Sequence, residues 1–153
     1  MANAPETVIV ERTLVIAASP ETVWELLVDP EKAERWMGMQ FWSEPRQGGA
    51  YRVEVIPGHI ASGEFIEVDP PRRLVHTWGW EAENSVPAGS TTVAYELTPE
   101  GDGTLLRFVH SGLPSDEAAA SHAHGWDHYL ERLVSAAEGG DPGRDPWLDG
   151  PMS

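Results

Sequence analysis

Two alternating rows of residues are where this chain could do chemistry. Leu74, His76, Trp78 and Trp80 share one parity of a β-rich segment, and Leu106, Phe108 and His110 share one parity of another. A third row, Trp126, Tyr129, Leu130, Leu133 and Ala137, recurs at three- and four-residue steps, the spacing of one helix face. If both strand parities face that helix, Trp78, Trp80, Phe108, His110, Trp126 and Tyr129 converge on one interior space. Trp36 or Phe65 would then stand near its mouth, and Tyr95 would lie on the dry parity of a further strand. Such rings could wall a pocket for a flat or greasy small molecule, with His110 and Tyr129 as polar handles. The competing reading is that the rings simply fill the core.

Among single residues, His110 is the best candidate for acid–base or hydrogen-bond duty, because an imidazole titrates near neutral pH and its strand neighbours are apolar. The alternative is a histidine satisfied within the core. His59 and His76 have no assignment beyond strand parity. His122, His124 and His128 invite a metal reading, since His124 and His128 stand at i and i+4. His122, however, points about 200° away from His124 around a helix. The three are therefore expected as polar residues on the solvated side, with no metal and no cofactor. Ser62 and Ser111 are the hydroxyls beside interesting residues, and neither sits on a strand–elbow–helix turn. Gly101-Asp-Gly103 joins two strands and is no phosphate loop. Glu64, Glu67, Glu81 and Glu83 are expected in solvent.

The elements that must position these residues follow from local signals. Residues 7 to 17 are rich in β-branched side chains and read as a first strand. Ser19-Pro20-Glu21 and Asp29-Pro30-Glu31 each supply a cap, a proline at the first helical position and an early acid. They predict two short helices, the second running to about Trp36. From Phe41 to Ser111, turn signals recur about every ten residues, as in an antiparallel meander. Strands are predicted over 51–56, 59–68, 74–80, 91–98 and 104–110. Ser115 caps a long helix that Gly139-Gly140 ends. Residues 1–139 are expected to form one domain, with 140–153 an extended Pro- and Gly-rich tail that Trp147 could pin to the body. One long helix with an aromatic stripe must cover the dry face of the sheet, so the sheet curls around it.

Composition narrows the function classes. The 25 acids against 10 bases give a formal charge of −15, which repels nucleic acid and anionic membranes. With no cysteine, thiol nucleophiles, thiolate zinc sites and disulfides are excluded. The apolar run Leu14 to Ala18 is too short to span a bilayer, and a cytoplasmic location is expected. Seven tryptophans are too many large amphipathic rings to leave in water, and point to a cavity wall or an interface.

Ala18-Ser-Pro-Glu-Thr-Val-Trp24 with Trp36, Gly63-Glu-Phe-Ile-Glu-Val-Asp-Pro-Pro-Arg-Arg-Leu-Val-His-Thr-Trp78, Gly103-Thr-Leu-Leu-Arg-Phe-Val-His-Ser-Gly-Leu113 and Gly125-Trp126 also carry a resemblance. Together they resemble the family similar to the C-terminal domain of the activator of Hsp90 ATPase, within the START-like (helix-grip, polyketide cyclase-like, SRPBCC) superfamily. The resemblance covers about Val8 to Leu133. It implies an α+β helix-grip fold, a curved antiparallel sheet around a long C-terminal helix, with a cavity between them. It also leaves several functions open. The favoured expectation is a protein that binds an apolar or aromatic small molecule. The alternatives are an enzyme of cyclase, dehydratase or hydrolase type, and a co-chaperone-like interaction module. The co-chaperone's additional N-terminal domain has no room here, which counts against Hsp90 activation. A homodimer and an unidentified protein partner stay open.

Overall fold

The β-branched run near the N-terminus forms strand β1, Val8–Ile16, and Ser19 then turns the chain into helix α1, Pro20–Val28. The Ser19 side chain accepts from the Thr22 N–H, and Pro20 fills the first turn, where no amide partner is needed. Asp29 repeats the device for α2, Pro30–Ala33, accepting from the Glu31 N–H. This helix stops at Ala33, three residues short of the expected Trp36. Trp36 follows in a turn that buries its ring and points its Nε1–H at the Leu26 carbonyl, 2.7 Å away.

In this computed structural model, which describes residues 8–82 and 85–148, six more strands follow. They are β2 Gln40–Phe41, β3 Ala50–Ile56, β4 His59–Asp69, β5 Arg73–Trp78, β6 Thr91–Glu100 and β7 Gly103–Leu113. They make one curved antiparallel sheet in the order β1-β7-β6-β5-β4-β3-β2, so the first strand closes beside the last. Short turns dictate much of this order: two- or three-residue loops join β3 to β4, β4 to β5 and β6 to β7, and force each pair into antiparallel neighbours. The Pro57-Gly58 turn does so between β3 and β4, where Gly58 takes the positive φ of 81° that a side chain would resist.

Alternation then fixes the dry face. Tyr51, Val53 and Val55 of β3, Leu74, His76 and Trp78 of β5, Val93, Tyr95 and Leu97 of β6, and Leu106, Phe108 and His110 of β7 are all buried. Helix α3, Asp116–Ala137, lies across this concave face and buries Trp126, Tyr129, Leu130 and Leu133 against it. Each such side chain contributes about 1.5–3 kcal/mol relative to exposure. The fold is the helix-grip arrangement. The opposite face carries ion pairs, such as Arg73 with Glu67 and Glu96 and Arg107 with Glu11, each half-exposed and worth little individually.

Two expectations change in detail. Strand β5 ends at Trp78, and Trp80 sits beyond it as an isolated bridge to Ala61 and Pro87. Gly79 is the reason: a Cβ there would lie 1.7 Å from the Pro87 carbonyl oxygen, so the two segments approach too closely to continue the ladder. The tail is also less extended than its composition suggests. Asp145 accepts from the Trp147 N–H and starts a single 3-10 turn, Pro146–Leu148, whose Trp147 stacks on His128 at 3.7 Å between ring centroids. Tail residues 149–153 and Glu83 lie outside the described residues. No helix among the described residues is long and apolar enough to cross a membrane.

Candidate functional site

Between α3 and the far end of the sheet lies a cleft of about 360 Å³. The chain that follows β5 forms one lip with Trp80, Ser85 and Val86. The first turns of α3 form the other, with Ser115, Glu117, Ala118, Ser121 and His122. Met37, Val55, Trp78, Gly125, Trp126 and Tyr129 make the floor, and exposed His59 stands at the mouth.

Of the nine expected site residues, Trp78, Trp80, Trp126 and Tyr129 line this cleft. Trp78 is the hub: its ring centroid is 5.4 Å from Trp80, edge to face, and 5.2 Å from Trp126. The Trp78 Nε1–H is buried without an acceptor among the described residues. The other five lie in the packed layer around or beneath it. Phe108 stands 4.6 Å from the Trp126 ring and 5.3 Å from Tyr95, while Phe65 and Tyr51 close edge to face at 5.8 Å. Trp36 is fixed by its bond to Leu26.

His110 belongs to a closed hydrogen-bond chain. The Trp126 Nε1–H donates to His110 Nδ1 at 3.0 Å, and the Thr91 hydroxyl donates to the Trp78 carbonyl at 2.7 Å. Thr91 Oγ1 therefore receives the His110 Nε2–H, at 2.8 Å, and the ring is neutral with its proton on Nε2. Burial first, and then His122 and His76, pull its pKa down to about 3. His76, fully buried and stacked on Tyr51 at 3.7 Å, falls to about 4 through burial, against its bond to the Thr77 carbonyl. Neither ring is placed to exchange protons near neutral pH.

The three α3 histidines correct the expectation of a solvated row. His124 is exposed, but His122 and His128 are half-buried. His122 Nδ1 donates to the Ala118 carbonyl at 2.8 Å, and its Nε2 accepts the Trp80 Nε1–H at 3.1 Å. His128 faces the tail: its Nε2 meets the buried Asp145 carboxylate at 2.8 Å, and Trp147 covers its ring. Apolar periodicity misses this because the stabilising partners are indoles distant in sequence. The Tyr129 hydroxyl lies beside the same carboxylate, and burial first and Asp145 second raise its pKa.

Sequence reasoning did not anticipate Met37, Val55 or Val86 in the cleft wall, nor the meaning of Gly125. A Cβ built on Gly125 meets nothing within 4 Å. Glycine within a helix costs about 1 kcal/mol relative to alanine, and here no protein atom requires it. It widens the cleft where α3 would otherwise narrow it.

Comparison with known proteins agrees with this architecture. The model of the family described as activator of Hsp90 ATPase homolog 1-like protein matches residues 17–138. The solution structure of an AHSA1-like protein from Rhizobium etli is similar over 96% of this chain and 92% of its own, with 47% identity and a TM-score of 0.77. The crystal structure of CalU16 from Micromonospora echinospora is 28% identical over 84% of this chain and 76% of its own, with a TM-score of 0.66. DynU16, from the dynemicin biosynthetic locus, is 25% identical over 90% of this chain and 49% of its own, with a TM-score of 0.77. No protein of curated function matches the chain in sequence. The match over residues 17–138 and the helix-grip sheet together establish that the chain belongs to the AHSA1-like family, within the START-like superfamily.

Proposed function

We propose that this protein binds a flat apolar or aromatic small molecule in the cleft between α3 and the sheet. The observation that carries the reading is the pairing of three indole walls, Trp78, Trp80 and Trp126, with the unobstructed notch at Gly125. Large rings usually pack until little space remains; here about 360 Å³ stays open beside them. The biosynthetic setting of DynU16 also supports a small-molecule ligand. Binding fits the chemistry better than turnover, because both His110 nitrogens are engaged within the core.

Nile red, a neutral aromatic dye, tests this directly. Its emission is expected to rise and shift to the blue with the wild-type protein. Gly125→Leu fills the notch with a side chain that meets no protein atom at its Cβ, so it should fold and melt no lower than wild type while binding at least about tenfold more weakly. Equal binding by that variant, or no response from Nile red and a panel of polycyclic aromatics, would overturn the reading.

A further inference from the structure

The cleft has a charge preference written into its lining. Among the described residues its lining includes no lysine or arginine, and Glu117 at the lip is the one carboxylate. The formal charge of −15 reinforces that sign over the whole molecule. The indoles add to it through orientation. Trp80 and Trp126 give their N–H groups to His122 and His110, so these positive edges are satisfied by the protein. The electron-rich faces of such rings attract cations.

Of the groups that could oppose a cation, the Trp78 Nε1–H is buried away from solvent, and those at the rim are paired. His122 lines the cleft, yet its Nδ1–H is held by the Ala118 carbonyl and its Nε2 by Trp80, so it presents no free donor. The amide dipoles at the start of α3 would favour an anion. However, Ser115 Oγ accepts from the Ala118 N–H, and Asp116 and Glu117 occupy the first turn, which offsets that partial charge. His59 at the mouth and Tyr129 on the floor are the remaining titratable groups of the described lining, and burial first, then Asp145, raises the Tyr129 pKa and keeps its hydroxyl neutral.

Resting on the reading of the cleft as a ligand site, we infer that its ligands are planar aromatic cations, with the ring system on Trp78, Trp126 and the Gly125 notch and the positive group toward Glu117. Neutral analogues of the same shape bind more weakly, and carboxylates weakest of all.

Three probes that share one ring system separate these terms: 9-(aminomethyl)anthracene, 9-anthracenemethanol and 9-anthracenecarboxylate. At low ionic strength the ammonium compound is expected to bind about tenfold or more tightly than the carboxylate, with the alcohol between them. Glu117→Gln should shrink the cation-to-alcohol ratio, because the exposed Glu117 head contributes charge and no packing. A carboxylate that binds as tightly as the ammonium compound, or a ratio insensitive to Glu117→Gln, would overturn the charge preference while leaving the cleft itself intact. Failure of all three probes to bind, or binding untouched by Gly125→Leu, would remove the cleft reading and this inference with it.

Discussion

Trp126 donates its indole N–H to His110 Nδ1 at 3.0 Å, joining the centre of α3 to the middle of β7 inside the core. The bond fixes the tautomer of His110, and with it the direction of the chain through Thr91 to the Trp78 carbonyl. Polar links of this kind do more than fill space. Each leaves a buried donor or acceptor stranded when one member is removed, so the helix, β5, β6 and β7 are held in a single relative position beneath the cleft.

The link should appear as a coupling energy. Trp126→Phe strands His110 Nδ1, and His110→Leu strands the indole N–H; each also perturbs packing and should cost about 2–4 kcal/mol. The double variant removes both orphaned groups, so its cost should fall short of the sum by about 1–2 kcal/mol. Urea denaturation of the four proteins measures this. Additive costs would mean that the bond contributes nothing beyond packing.

Acid stability follows from the two buried histidines. Their folded pKa values, about 3 for His110 and about 4 for His76, lie below the ordinary 6.5 of the unfolded chain. Between those limits the unfolded state binds more protons, so stability is full above pH 6.5 and falls as the pH drops toward 4 and then 3. At pH 5 the two together should cost about 4 kcal/mol. His76→Phe keeps a ring on Tyr51 but cannot titrate. It should flatten the fall between pH 6.5 and 5 by about half, as read from urea midpoints at each pH. An unchanged slope would assign the acid sensitivity to other groups.

Much of this arrangement is legible in the sequence, for identifiable reasons. Caps such as Ser19 and Ser115 act within a few residues, and alternation at Tyr51-Val53-Val55 or Leu106-Phe108-His110 reports a dry face directly. The long helix is nearly residue for residue as its capping signals imply. What the sequence hides is what depends on distant partners. Trp80 leaves β5 because Gly79 meets Pro87, and His122 turns inward because an indole 42 residues away supplies its donor. His128 and His124 look like a ligand pair until Trp147 stacks on both. Convergence of rings is predictable from parity, but which rings border open space depends on side-chain volumes in three dimensions. Only Gly125 marks that space locally, through a helix cost that nothing nearby explains.

Arg132 is expected to be irreplaceable by lysine. Its guanidinium donates to four backbone carbonyls, those of Arg35 and Trp36 on one side and of Pro142 and Gly143 on the other. A planar fork can reach all four at once, whereas an ammonium cannot. Arg132→Lys should cost about 1–3 kcal/mol, and should expose the tail to proteases near Gly139-Gly140 before the body unfolds. Limited proteolysis with mass analysis decides it. A wild-type cleavage pattern would mean that the stack of Trp147 on His128 is sufficient to hold the tail.

Gly125→Ala should separate stability from binding in one substitution. The new methyl group meets no atom within 4 Å, and alanine is the better helix former, so the melting temperature should rise in line with a gain of about 0.5–1 kcal/mol. The same methyl group projects where the cleft is open, between the α3 backbone and the Trp78 and Trp126 rings that border it. Nile red affinity should therefore fall even as the fold strengthens, by less than in Gly125→Leu because less of the notch is filled. A protein that keeps glycine against a stabilising alternative is conceding stability for room. A variant that gains stability and binds the dye as well as wild type would show that the notch serves no ligand, and the reason for a glycine at the centre of α3 would then lie outside the cleft.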